Sequence, residues 1–164
     1  MGIDGLPSTS GVRHALVWML GVGYGIVLAF IVFWPSPVDR PVAGLLQRVI
    51  QELHERGVPS FVDYDFIEFS ANIALFLPVG LFFGLAAPMR LWALAFLLGP
   101  ALSAAVEFAQ RMVLSERYAT VADVVANSIG ATIGVMCALA VRAAVAQRDD
   151  AVIARHEALT APAS

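Results

Sequence analysis

Four long apolar stretches, each almost free of charged residues, limit what this chain can fold into. They cover residues 14–34, 69–87, 91–109 and 121–141. A helix needs roughly 20 mostly apolar residues to cross a hydrocarbon core of about 30 Å, and each stretch is close to that length. The sequence therefore predicts an all-α, polytopic membrane protein, a four-helix transmembrane bundle in a single domain over residues 1–164.

The composition supports a membrane protein and excludes other classes. Of the 164 residues, 59% are hydrophobic and 14% are charged, whereas an average soluble domain is about 45–50% apolar and about 25% charged. All ten basic residues are Arg and are outnumbered by thirteen acids, so the chain lacks the basic patch of a nucleic-acid binder. The single Cys137 excludes an intramolecular disulfide. Membrane lipids are the expected partners, and no metal or cofactor is expected.

The first loop predicts a short amphipathic helix over residues 43–56. Its apolar residues recur at helical spacing: Leu45, Leu46, Val49, Ile50 and Leu53. Pro41 before the segment and Gly57 after it suit a helix start and stop. Such a helix is expected to lie on the membrane surface or to cap the bundle.

Arginines near the span ends predict the orientation. Four spans place both termini on one side, and Lys and Arg concentrate in cytoplasmic loops. A cytoplasmic N-terminus would put four arginines in the cytoplasm: Arg13, Arg90, Arg142 and Arg148. The acidic first loop would be outside, together with Arg40, Arg48, Arg56, Arg111 and Arg117, so the Arg count is nearly balanced and favours this orientation only moderately. After Arg142 the chain alternates Ala with charged residues, so the fourth helix is expected to continue beyond the bilayer. The Arg-only, Ala-rich usage is typical of a GC-rich bacterial genome, which predicts a bacterial cytoplasmic membrane.

Scarce polar residues lie inside the spans or beside them. A central Asp or Arg costs about 2.5–3.5 kcal/mol on insertion scales, so such residues are functional candidates. Residues four apart share a helix face, and the third and fourth spans are expected to be antiparallel neighbours. The polar groups can then converge in one pocket at the loop-side end of the bundle. The set comprises Asn72, Ser103, Glu107, Gln110, Arg117, Asp123 and Asn127.

Several of these residues also have a structural explanation. Thr120 to Asp123 fits a capping box at the start of the fourth span. Glu107 can pair with Arg111, four residues later on the same helix face. Asn127 can form a hydrogen bond between helices.

Small residues and one proline predict how the spans pack. Pro78 is expected to kink the second span. Three small-x-x-x-small pairs occur at Gly21 and Gly25, Gly80 and Gly84, and Gly130 and Gly134. These pairs predict close helix packing, with a homo-oligomer through the small-residue faces as the alternative.

Three motifs follow one another over residues 66–136. An Asn before an FxPxG motif falls at Asn72, Phe76, Pro78 and Gly80; a Ser-x3-Glu-x2-Gln motif falls at Ser103, Glu107 and Gln110; and an Arg-x5-Asp-x3-Asn-x2-Gly-x3-Gly motif falls at Arg117, Asp123, Asn127, Gly130 and Gly134. In this order and spacing they resemble the VanZ-like family of small bacterial membrane proteins. The resemblance implies a four-helix membrane bundle with this polar set. The founding member of the family is linked to low-level resistance to the glycopeptide teicoplanin.

The first of three functional hypotheses is a binding protein of the cell envelope. Its pocket would hold the polar end of an envelope lipid, a lipid-linked sugar or a glycopeptide. Arg117 would pair with an anion of the ligand, while Gln110, Asn127 and Asn72 would complete the binding site.

Two other hypotheses stay open on the sequence. An intramembrane enzyme acting on a lipid-linked substrate would use Glu107 and Asp123 as general acid and base. The sequence shows neither a nucleophile nor a known catalytic motif for it. In a structural or assembly protein, the same polar groups would only lock the bundle.

Overall fold

The computed structural model describes residues 11–33, 42–113 and 120–160, apart from the side chains of 89, 92, 93, 95, 107, 110–113 and 157. The described residues form five α-helices and no strand. The helices are α1 (Gly11–Val32), α2 (Ala43–Glu55), α3 (Tyr64–Ala86), α4 (Trp92–Val113) and α5 (Val121–Thr160). Three of them, α1, α3 and α5, are long and apolar enough to cross a membrane, and α4 carries a shorter apolar run over Phe96–Val106. The predicted all-α membrane bundle is confirmed.

The helices α3 and α5 lie parallel and form the centre of the bundle. Asn72 near the start of α3 contacts Asp123 near the start of α5. Arg142, further along α5, contacts Gly84 and Ala87 at the end of α3. The apolar side chains buried between and around the two helices are mostly small: Phe76, Ala126, Ala131, Val135 and Ala138.

Glycines allow α3 and α5 to approach until their backbones touch. A β-carbon added at Gly80 would overlap the carbonyl oxygen of Ala131. One added at Gly130 would overlap the carbonyl oxygen of Ile73, and Gly134 is equally close to α3. Two of the three small-residue pairs therefore face each other within one chain. A homo-oligomer stays a prediction, and these two pairs are already covered.

The other two long helices pack on this centre. Helix α4 runs antiparallel to α5, and a β-carbon at Gly99 would lie 2.9 Å from the Cα of Ser128. Helix α1 packs on α3, where the Tyr24 hydroxyl donates to the carbonyl oxygen of Leu75 over 2.6 Å. None of the residues of α1 is buried, and large apolar side chains such as Met19 and Phe30 are exposed. This outer surface suits contact with lipid.

The two ends of the bundle differ in chemistry. One end, here called the Arg end, carries Arg13 and Arg142, and Arg13 forms a salt bridge of 2.8 Å with Asp149 of α5. The Arg142 guanidinium donates to the carbonyl oxygens of Gly84 and Ala87 over 3.2 and 2.7 Å, which satisfies the exposed end of α3. The opposite end, here called the polar end, contains the starts of α3 and α5 and the end of α4.

Helix α2 leads into the polar end and coincides with the predicted amphipathic segment to within one residue. It ends in a Schellman motif, in which Gly57 has a φ of 95° and donates to His54. Val58 donates in turn to the carbonyl oxygen of Leu53. Glycine fits this left-handed position without strain. Apolar side chains of α2 such as Leu45 are exposed, while Ile50 is buried.

Candidate functional site

The first part of the polar end is a hydrogen-bond network around Asp123. Helix α5 begins after Thr120, whose backbone N–H donates to Asp123 Oδ2 over 2.7 Å and whose hydroxyl oxygen accepts from the Asp123 backbone N–H over 3.2 Å. These reciprocal bonds form the capping box. The other carboxylate oxygen, Oδ1, accepts from Asn72 Nδ2 over 2.7 Å. Asp123 therefore acts as an acceptor that ties the start of α5 to α3.

The second part is a buried pair between α4 and α5. Ser103 is 3% exposed and Asn127 is 6% exposed. Asn127 Nδ2 donates to Ser103 Oγ over 3.0 Å. Asn127 Oδ1 has no hydrogen-bond partner in the described part of the chain. A buried acceptor without a donor costs about 1–3 kcal/mol, so this oxygen is a place where an incoming donor group would be stabilised.

The register of α4 and α5 places the two candidate carboxylates at one level. Glu107 follows Ser103 by four residues in α4, and Asp123 precedes Asn127 by four residues in α5. Because the helices are antiparallel and Ser103 contacts Asn127, the backbones of Glu107 and Asp123 lie at one level, about one turn nearer the polar end. The side chain of Glu107 lies outside the described residues.

Three other polar residues also fall, wholly or by their side chains, outside the described residues. The backbone of Gln110 belongs to α4, but its side chain is not described, and the same holds for Arg111. Arg117 lies wholly outside the described residues. The structure thus brings together Asn72 with Asp123, and Ser103 with Asn127.

Tyr24 and Arg142 also link helices of the bundle, and neither contact is among those predicted from the sequence. Pro78 lies inside α3 and has no N–H to donate to Ala74. The neighbouring carbonyl oxygen, that of Leu75, accepts from Tyr24. Tyr24 could have been found as a hydroxyl in the middle of an apolar span. From the sequence Arg142 indicates only the orientation, and its contact with the end of α3 depends on the parallel pairing of α3 with α5.

The chemistry available at the polar end is hydrogen bonding. Among the residues that the structure describes, no group of three or more His, Cys, Asp or Glu side chains could hold a metal ion. Asp123 has both oxygens engaged, whereas Asn127 keeps one amide oxygen unused. The arrangement therefore fits recognition of a hydroxyl or amide group better than proton transfer by Asp123.

Comparison with known proteins identifies one family. The family model VanZ/LLP1 matches residues 21–142. This range includes α2, α3 and α4 entirely and just over half of α1 and of α5. No curated protein and no solved structure matches the chain.

Proposed function

Because the chain belongs to the VanZ/LLP1 family and is a VanZ-like membrane protein, we propose that it binds the polar group of a cell-envelope molecule at the polar end of its bundle. The proposed ligand is an envelope lipid, a lipid-linked sugar or a glycopeptide of the teicoplanin kind. The proposed location is the bacterial cytoplasmic membrane, with both termini in the cytoplasm.

The observation that carries this proposal is the unpaired oxygen of Asn127. It is buried between two packed helices, and Ser103 takes up only the Nδ2 side of the amide. Polar atoms in such a position are normally paired. A ligand hydroxyl or amide N–H would supply the missing donor, and all three proposed ligand classes carry such groups.

The neighbouring residues would complete the recognition. Glu107 is one turn from Ser103 on the same face of α4, so its carboxylate is proposed to accept from further ligand hydroxyls. Gln110 is proposed to orient the ligand, and Arg117 to pair with a ligand anion such as a phosphate. In this arrangement Asp123 and Asn72 contribute mainly by holding α3 and α5 together around the site.

A structural function is the second candidate, and the Asn72–Asp123 bond favours it. That bond joins two helices, and together with the bond from Thr120 it engages both oxygens of Asp123 without any ligand. Under this alternative, Asn127 and Ser103 would lock α4 to α5 in the same way. An enzymatic role for Asp123 is less supported, because both of its oxygens already accept from Thr120 and Asn72.

A double substitution distinguishes ligand binding by Asn127 from a purely structural contact between α4 and α5. Ser103→Ala or Asn127→Leu alone leaves a buried partner unpaired, whereas Ser103→Ala/Asn127→Leu removes both polar groups. Replacing both partners of a buried hydrogen bond by apolar groups is close to neutral for stability. We therefore expect the double variant to fold normally and to lose the ligand.

Binding is measured by titrating purified protein in lipid nanodiscs with three probes. These are teicoplanin, a polyprenyl-linked disaccharide and phosphatidylglycerol. At least one probe should bind the wild type, and the double variant should bind it about tenfold more weakly, which corresponds to about 1.4 kcal/mol. Ser103→Ala, which keeps the Asn127 oxygen, serves as the matched control and should retain binding. Unchanged binding by a stable double variant would contradict the proposal.

A further inference from the structure

A long apolar groove runs along the outside of the bundle between α1, α3 and α4. Its volume is about 400 Å³. On α1 the lining extends from Val17 to Phe33, a distance of about 24 Å at 1.5 Å per residue. The hydrocarbon core of a bilayer is about 30 Å thick. The groove is therefore long enough to cover most of the thickness of a hydrocarbon core.

The polar atoms of its lining side chains are turned to partners within the protein. The Tyr24 hydroxyl donates to the Leu75 carbonyl oxygen over 2.6 Å, and Trp18 Nε1 donates to His14 Nε2 over 2.9 Å. No charged side chain is among the residues that line the groove. The groove thus offers neither charge nor free hydrogen-bonding groups, and it is complementary to a hydrocarbon.

The small residues of α1 create the space. Gly21, Gly25 and Ala29 lie four residues apart on the side of α1 that lines the groove. Gly21 is packed against α3, since an added β-carbon would lie 3.2 Å from Phe82 Cβ. At Gly25, an added β-carbon would meet nothing within 4 Å. The groove is therefore open beside Gly25.

The groove reaches the level of the polar end. Phe33 at the end of α1 and Val106 in α4 both line it, and Val106 immediately precedes Glu107. A molecule whose polar group lies at the polar end could therefore place its apolar part in the groove.

We infer that this groove binds one acyl chain of the envelope lipid whose polar group is bound at the polar end. The inference rests on the proposed function for the identity of the ligand and on the groove for the position of its chain. The length of the groove, its apolar lining and its reach to the level of the polar end each favour a linear lipid chain. A second copy of the protein is a different occupant, which the test distinguishes.

Gly25→Leu is the variant that tests the groove. The leucine side chain would occupy the open space without meeting a protein atom near its β-carbon. Gly23→Leu is the matched control, because it lies on the same helix, is equally free of neighbours and does not line the groove. Both variants replace a glycine of α1 with leucine, so any general effect of that replacement on the helix should be equal in the two.

The measurement is photolabelling in nanodiscs with phosphatidylglycerol that carries a diazirine midway along one acyl chain. The label should map to residues 17–33 and 98–106 in the wild type and in Gly23→Leu. It should fall at least fivefold in Gly25→Leu. Equal labelling of Gly25→Leu, or protein–protein crosslinks in place of lipid adducts, would overturn the inference.

The outcome is separable from that of the proposed function. If Gly25→Leu loses the label while Ser103→Ala/Asn127→Leu binds polar ligands normally, the chain site stands and the proposed polar site fails. If the double variant loses its ligand while Gly25→Leu labels normally, the polar site stands and the groove inference fails.

Discussion

Asn72 Nδ2 donates to Asp123 Oδ1 over 2.7 Å, and this bond joins α3 to the first turn of α5 through two residues that are 51 apart in the chain. The opposite oxygen of the same carboxylate closes the capping box of α5 with Thr120. One side chain therefore starts a helix and also sets its position against α3. The polar end depends on this double role, because α5 carries Asn127 one turn further on.

The Asn72–Asp123 bond should appear as coupling between the two residues. Asp123→Ala removes the cap and the interhelical bond, and we expect a loss of about 1–3 kcal/mol in the free energy of unfolding. Thr120→Ala removes only the cap and should cost about 0.5–2 kcal/mol. In an Asn72→Ala background the effect of Asp123→Ala should shrink by about 0.5–3 kcal/mol. Unfolding in mixed micelles measures these values, and additive effects would contradict the described bond.

Close packing of α3 on α5 should make Gly134 intolerant of a single methyl group. An added β-carbon there would overlap the backbone of α3. We expect Gly134→Ala to lower the free energy of unfolding by about 1–3 kcal/mol. Gly23→Ala is the control, because no atom lies near that position. Alanine is about 1 kcal/mol more favourable than glycine in a helix, so this variant should not lose stability. Equal stability of the two variants would argue against the close approach.

Arg142 should stabilise the end of α3. Its guanidinium donates to two carbonyl oxygens there, and hydrogen bonds to charged groups contribute about 1.5–3 kcal/mol. Arg142→Leu should therefore destabilise the bundle by about that amount. Arg155→Leu, an exposed position on the same helix, should have little effect. Proteolysis of α3 near Ala87 gives a second readout, which should accelerate only in Arg142→Leu.

The proposed orientation can be checked with reporter fusions. Arg13, Arg90 and Arg142 should hold the Arg end in the cytoplasm. A fluorescent protein fused after Ser164 should therefore fold and fluoresce. Alkaline phosphatase inserted between Pro59 and Ser60, in the first loop, should be active. The reverse pattern would place the polar end in the cytoplasm and exclude extracellular ligands such as a glycopeptide.

Much of the fold could be predicted because apolar runs of membrane length leave few alternatives to a helix. The shared helix face of Asp123 and Asn127 could also be predicted, since residues four apart lie on one face of a helix. The capping box at Thr120 is a local pattern that needs no knowledge of the fold.

The helix pairing could not be predicted in the same way. The pairs Gly80–Gly84 and Gly130–Gly134 indicate close contact but do not say which helix is the partner. The reach of Arg142 and the bond from Tyr24 to Leu75 both follow from that pairing. The unpaired oxygen of Asn127 could not be predicted either. The sequence does not show that Ser103 contacts the Nδ2 side of the amide and leaves Oδ1 without a partner.

The most direct test of the central claim is native mass spectrometry of the protein released from nanodiscs made of its own host membrane. The wild type should retain one envelope molecule that carries hydroxyl or amide groups, and Ser103→Ala should retain it as well. Ser103→Ala/Asn127→Leu should lose that molecule while keeping its unfolding midpoint. If the wild type and a stable double variant retain the same molecules in the same amounts, the polar end does not bind a ligand through Asn127.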